Sequence, residues 1–169
     1  GASVVIVGRT QSRLDEAIAS FDGPGDAQAV QGDVRSWEDV ENMFASTREL
    51  FGPPDLLLNN AGVTGQLVRG VMDAPTVENV DLDTWQTVIE TNLSGAFHCA
   101  KAALGEMVER DHGRLIHVSS GMGSHGRAGW APYVASKHGL EGLAETIALE
   151  VADTGVDSLL FRPPGGGVH

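Results

Sequence analysis

Apolar positions along this chain follow two rhythms. Short apolar runs come first, Val4-Val5-Ile6-Val7, Leu56-Leu57-Leu58 and Leu115-Ile116-His117-Val118, with two mixed segments, Ala27 to Gln31 and Val156 to Phe161, that also read as strands. Such runs read as strands of a parallel sheet covered on both faces. Their expected limits are Gly1 to Gly8, Ala27 to Gln31, Asp55 to Asn59, Arg114 to Ser119 and Val156 to Phe161. Between them, apolar residues recur at helical spacing. Leu14, Ile18 and Phe21 mark a helix beginning at Ser12, with Asp15 three residues on as a capping-box-like partner. Trp37, Val40, Phe44 and Phe51 mark the next, capped by Ser36 with Asp39 at the box position and stopped by Gly52-Pro53-Pro54. A long helix is predicted from Asp81 to about Arg110, its apolar face marked by Trp85, Val88, Ile89, Leu93, Phe97, Leu104 and Met107. Asp111-His112-Gly113 ends it. Another helix begins after Pro132, carrying Leu140, Ala144, Ile147 and Val151, and stops at Gly155. Residues 63–80 have no clear period and read as a loop with one short helix.

Strand-helix alternation throughout predicts an α/β fold with a doubly wound parallel sheet. In such sheets ligands bind beyond the carboxyl ends of the strands. Five candidate sites lie there: Gly8-Arg9, Asp33-Val34, Asn60-Ala61-Gly62, Ser120 and Pro163.

Bulk properties narrow the picture. The chain has 169 residues, one domain's worth, and 41% are hydrophobic, compatible with a packed core. No apolar run approaches a membrane span. A net charge of −12 argues against a nucleic-acid partner. The start, Gly1-Ala2-Ser3, carries no basic leader, and Cys99 alone cannot form an intramolecular disulfide, so a reducing cytoplasm is the expected compartment. His98, His112, His117, His125 and His138 lack metal-ligand spacing, and no metal site is expected. His117 reads as packed and His125 as a solvated loop residue. No G-x-x-x-x-G-K-[ST] occurs, which excludes a phosphate-binding loop of that type.

The chemistry concentrates between Val118 and Lys137. Tyr133 and Lys137 stand four apart at the start of a helical pattern and so share a face. A free tyrosine titrates near a pKa of about 10, and a neighbouring cation favours its phenolate. A serine at the end of the preceding strand could reach the same point as a hydrogen-bond donor. That set suits proton transfer to a carbonyl or alkoxide oxygen. Tyr-x-x-x-Lys also arises by chance, and a helical tyrosine is more often a core residue. Here it accompanies a strand-end serine thirteen residues earlier, a glycine-rich loop and an upstream Asn59-Asn60-Ala61-Gly62.

With those motifs the sequence resembles the short-chain dehydrogenase/reductase family, which pairs Ser with Tyr-x-x-x-Lys at this spacing. The thirteen-residue count selects Ser120. The resemblance covers nearly the whole chain. It begins at the family's second strand, after its T-G-x-x-x-G-x-G motif, and stops after the sixth strand, before the substrate lid. It implies a Rossmann-like, partial dinucleotide-binding domain over residues 1–169, an internal piece of a longer enzyme with a slot where a central strand is expected.

By that resemblance the catalytic residues are Asn92, Ser120, Tyr133 and Lys137. Asn92 would hold a kink in the long helix and a water linking Lys137 to solvent. Cofactor contacts fall on Arg9, Asp33, Val34, Asn60, Ala61, Gly62, Tyr133, Lys137 and Pro163. Gly8 stands where NAD-preferring relatives carry an acidic residue, followed by Arg9, with Arg13 one turn on. A guanidinium can hold a 2′-phosphate bidentately, so NADP(H) is the preferred cofactor, with NAD(H) as an alternative. An ordinary solvated arginine at position 9 is the plainer reading. Asp33 is read either on the adenine amino group or as a turn cap. Pro164 replaces the glycine that the family places after Pro163.

The resulting expectation is an oxidoreductase interconverting a carbonyl and an alcohol by hydride transfer. Its partner is a small-molecule substrate, with no nucleic acid and no membrane. It is also expected to be a homo-oligomer that pairs the long helices, with Ala96, Ala100 and Ala103 allowing close approach. A second expectation is a catalytically silent chain that serves only as an assembly or interaction unit.

Overall fold

The computed structural model describes residues 1–70 and 74–164. Its elements run β1 (Val4–Gly8), α1 (Gln11–Ala19), β2 (Ala27–Gln31), α2 (Trp37–Phe51), β3 (Leu56–Asn59), α3 (Gly65–Arg69) and α4 (Leu82–Ile89). A π-helical segment (Glu90–Ser94) then leads into α5 (Gly95–Glu109), β4 (Gly113–Val118), a 3-10 turn (Gly121–Gly123), α6 (Ala131–Glu150) and β5 (Val156–Phe161). The Gly165–Gly167 tail lies outside the described residues.

The strands form two parallel sheets, β1-β2 and β3-β4-β5. Strands β1 and β3 do not pair with each other. The break falls where the resemblance places a further strand. The fold is the expected Rossmann-like α/β arrangement of parallel strands and helices.

One core organises the larger sheet. Val40, Met43 and Phe44 of α2, Ala100, Ala103 and Met107 of α5, Leu115 of β4 and Ile147 of α6 pack together. Strand register places Leu57 beside Leu115 and Asn59 beside His117 on this covered side. The neighbouring register row, Leu58, Ile116 and Leu159, faces the opposite side, and Leu56, Leu58, Leu159 and Phe161 are exposed there. Within the described residues, that face of the larger sheet is uncovered. The reason is that α2, α5 and α6 all feed one core, while α1 packs on β1 and β2.

The helix starts differ in how they are capped. Ser36 caps α2, its side chain accepting from the Asp39 N–H at 3.2 Å. Asp39 in turn accepts from the Asp33 N–H at 2.8 Å, tying the helix start to the end of β2. By contrast, α1 starts at Gln11 behind Thr10, with no side-chain cap. Asp15 accepts instead from Gln11 Nε2 at 2.7 Å, an i,i+4 pair. The predicted helical region runs from Leu82 to Glu109, with the π segment, which contains Asn92, inside it. Trp85 and Phe97, expected on its buried face, are exposed. Ala96, Ala100 and Ala103, expected at a surface for helix pairing, are buried, the last two in this chain's own core. Trp85 lies before the π segment, and Phe97, nine residues from buried Val88, falls half a turn off the buried face at 3.6 residues per turn, so the exposure of both is independent of that segment. Asp111, at φ 50°, supplies the left-handed turn after α5.

Candidate active site

Tyr133 and Lys137 lie in the first two turns of α6, which starts after Trp130 with Pro132 in its first turn. Both side chains are buried. Lys137 Nζ sits 5.7 Å from the Tyr133 ring centroid and donates to the Val118 carbonyl at 2.7 Å. Burial without a carboxylate partner pushes the lysine's pKa down to about 8. Trp130 meets the Tyr133 ring edge-on at 6.0 Å, and Arg127 lies over Trp130 at 5.0 Å. A crevice of about 10 Å³ opens beside Tyr133, lined by Gln66, Pro75, Thr84 and Trp130 among others.

Ser120 lies just past β4 and caps the 3-10 turn, its hydroxyl accepting from the Met122 N–H at 3.3 Å. Lys137 is bonded two residues upstream on the same strand end. The structure thus brings Ser120, Tyr133 and Lys137 to the carboxyl end of β4.

Asn92 joins them through the π segment. It is 1% exposed. Its Oδ1 accepts from the Val63 N–H at 2.7 Å, and its Nδ2 donates to the Val63 carbonyl at 2.9 Å and to Ser136 Oγ at 3.0 Å. Ser136 Oγ passes the link on to the Tyr133 carbonyl at 2.8 Å. The unwound turn lets one amide hold the loop after β3 against α6. A Cβ built on Gly62 would lie 3.5 Å from Asn92 Oδ1 and 3.7 Å from Lys137 Nζ, so the Asn60-Ala61-Gly62 loop lies directly against this pair.

Ser136 is a member of this network that the sequence motifs do not mark. A signal for it exists: it stands three residues after Tyr133, hence on the same helix face. Asn59, the first residue of the Asn-Asn-Ala-Gly motif, has a packing role. It donates to the Ala96 carbonyl at 3.2 Å and contacts His117 Nδ1 at 3.3 Å. His117 is fully buried, and burial lowers its pKa. His125 is exposed against Ser124. Cys99 is buried, its thiol pushed up to about 11. Among the described residues no group of His, Cys, Asp and Glu could hold a metal.

The remaining positions lie around the carboxyl ends of the other strands. Arg9, exposed just after β1, lines an open cleft of about 300 Å³ with Gln31, Gly32, Asp33, Asp39 and Asn42. Asp33 is engaged by Arg35, whose Nη2 lies 2.6 Å from its Oδ2. That pairing, opposed by burial, holds the Asp33 carboxyl below its usual range. The Val34 carbonyl meets His98 Nδ1 at 2.9 Å. Pro163 is half-buried after β5.

A model of the family described as short chain dehydrogenase matches residues 1–165. The chain belongs to that family. Its match to a 3beta-hydroxysteroid dehydrogenase of Mediterraneibacter gnavus is 32% identical over 166 residues, covering 98% of this chain and 57% of the relative. A putative ketoacyl reductase of Streptomyces coelicolor is 36% identical over 159 residues, covering 92% and 58%. Among solved structures, an actinorhodin polyketide ketoreductase with NADPH superposes with a TM-score of 0.82 at 32% identity, covering 92% of this chain and 58% of that one. A serine dehydrogenase complexed with NADP+ reaches 0.85 at 29% identity, covering 96% and 62%. The chain spans about three fifths of the length of the curated short-chain dehydrogenases it matches. No helix among its described residues is long and apolar enough to cross a membrane.

The site residues fit a nicotinamide dinucleotide in kind. They combine an unclosed cleft with a cation at one strand end and a buried lysine under a close-lying glycine loop at another.

Proposed function

We propose that this chain carries the nucleotide-binding and catalytic groups of an NADP(H)-dependent oxidoreductase that interconverts a carbonyl and an alcohol. The observation that supports this most is the cluster at the end of β4. There a buried lysine lies over the ring of a buried tyrosine, beside a strand-end serine.

In this reading Ser120 donates a hydrogen bond to the substrate oxygen. Tyr133 gives that oxygen its proton during reduction and takes it during oxidation. The Lys137 ammonium lies 5.7 Å from the ring centroid, beside the group that transfers the proton. Asn92 holds the loop after β3 and, through Ser136, the backbone of Tyr133, so the three groups keep their spacing. Arg9 would hold a 2′-phosphate, which is why NADP(H) is preferred over NAD(H). Asp33, Val34, Asn60, Ala61, Gly62, Lys137 and Pro163 would line the rest of the dinucleotide. The nicotinamide, when bound, supplies or accepts the hydride. The whole protein is proposed to act on a small molecule in the cytoplasm as a homo-oligomer. Exposed Leu82, Trp85, Phe97 and Leu149 on α4, α5 and α6 support self-association.

The test is Tyr133→Phe in the intact protein. Turnover on a panel of ketones is expected to fall about 1,000-fold, since general acid–base catalysis contributes roughly 10²–10⁴-fold. NADPH binding, measured by fluorescence, is expected to stay near wild type. Binding of NADPH with no turnover by the wild type on any carbonyl would favour the silent assembly unit instead.

A further inference from the structure

The end of β4 and the residue after it are each gripped by one face of α6, and only one of those grips belongs to the candidate active site. Lys137 holds the Val118 carbonyl. One helical turn later, Glu141 holds the next residue: Ser119 Oγ donates to Glu141 Oε1 at 2.6 Å. Glu141 is itself clamped by Arg162, whose Nε donates to Oε1 at 2.8 Å and whose Nη2 lies 2.6 Å from Oε2. This is a forked, charge-assisted pairing.

Glu141 is 8% exposed. A buried carboxylate is costly unless its oxygens are satisfied, and here three donors satisfy them. The Arg162 fork, opposed by burial, keeps the carboxyl below its usual range. The 3-10 turn after Ser120 is built onto the same pair. A Cβ on Gly123 would overlap Glu141 Oε1 and lie 2.6 Å from Ser119 Oγ, so a larger residue there would have to displace the carboxylate. Arg162 in turn precedes Pro163, and Ser119 N–H closes the sheet on the Phe161 carbonyl at 2.8 Å. Three chain segments that converge on the site therefore meet at one carboxylate.

We propose that Glu141, held by Arg162, is a positioning residue that sets Ser120 against Tyr133 by locking the end of β4 to α6. The inference rests on the reading of Ser120 and Tyr133 given under Proposed function. Neither Glu141 nor Arg162 touches the reacting atoms. Their effect runs through Ser119.

The test compares Glu141→Ala, Glu141→Gln and, as a matched destabilised control, Ile147→Ala on the same helix, all in the intact protein below its unfolding transition. For Glu141→Ala, kcat is expected to fall between about tenfold and 100-fold, the effect of a misplacement of about 1 Å. The NADPH dissociation constant should stay within about twofold, or about 0.4 kcal/mol. Amide exchange should quicken over residues 119–123. Glu141→Gln, which keeps an acceptor for Ser119, should recover part of the rate. Ile147→Ala should lose stability without the fall in kcat. An unchanged kcat in Glu141→Ala, an equal fall in Ile147→Ala, or a loss confined to NADPH affinity would each overturn the proposal. If the wild type turns over no carbonyl, the reading under Proposed function falls. Amide exchange then decides the lock by itself: unchanged protection of residues 119–123 in Glu141→Ala overturns it, and faster exchange there supports it.

Discussion

Val7 on β1 is 40% exposed, whereas Leu115 on β4 is fully buried, although both belong to similar apolar runs. The contrast extends to the two sheets they represent. Around β4, helices α2, α5 and α6 close a core, and several buried polar groups find partners inside it, Asn92 on Val63 and Ser136, Lys137 on Val118, Glu141 on Ser119 and Arg162, although His117 Nε2 has none among the described residues. Around β1 and β2 only Leu14 of α1 is buried, and Arg9 stands in solvent at an open cleft. Proton-transfer groups need desolvation and fixed geometry, which packing supplies. Within the described residues the two halves thus differ in how much of their surface is packed.

That comparison can be broken at the core first. Leu115→Ala is expected to cost about 2–5 kcal/mol, the range for a large-to-small change at a filled site. Val7→Ala should cost about 0.5–1.5 kcal/mol, because much of its side chain is already in water. Chemical denaturation of the intact protein measures both. Equal losses would remove the distinction between the sheets.

Lys137 sharpens it by pH. The folded-state pKa is about 8 against an ordinary 10.5, lowered by burial. The unfolded chain therefore binds the extra proton between those values, and the native state carries the full burial cost below about pH 8. Stability attributable to this group should rise as pH increases from about 8 to about 10.5, by at most about 3 kcal/mol. Measured as the difference between wild type and Lys137→Met, the change should move in favour of the wild type across that window. A flat difference would mean that the lysine is not desolvated as packed.

The smallest expected effect concerns the open half. Gly8→Asp with Arg9→Ala should shift the ratio of NADPH to NADH affinity by about tenfold toward NADH, or about 1.4 kcal/mol. The new carboxylate would bind ribose hydroxyls and repel a 2′-phosphate. Titration of both nucleotides in the intact protein checks it. An unchanged ratio would detach cofactor choice from this strand end.

Local signals are legible where neighbours in sequence are also neighbours in space. The Ser36–Asp39 cap, the strand runs and the shared face of Tyr133 and Lys137 come from periods of 2 and 3.6 and from capping chemistry. The resemblance extends that to a family and a set of positions. On the long helix the apolar residues mislead: at 3.6 residues per turn from buried Val88, Phe97 falls on the opposite face and is exposed, while small Ala103 falls near the same face and is buried.

The sequence alone determined the alternation of strands and helices, the Ser120, Tyr133 and Lys137 set, and the acidic balance that sets Arg9 apart. The tertiary structure alone decided that Asn92 turns both ends of its amide onto a loop 29 residues away. It likewise decided that Glu141 gathers Ser119 and Arg162 from separate strand ends. These outcomes depend on which distant surfaces meet. A buried amide or carboxylate must find partners wherever packing leaves them, and no spacing along the chain encodes that choice.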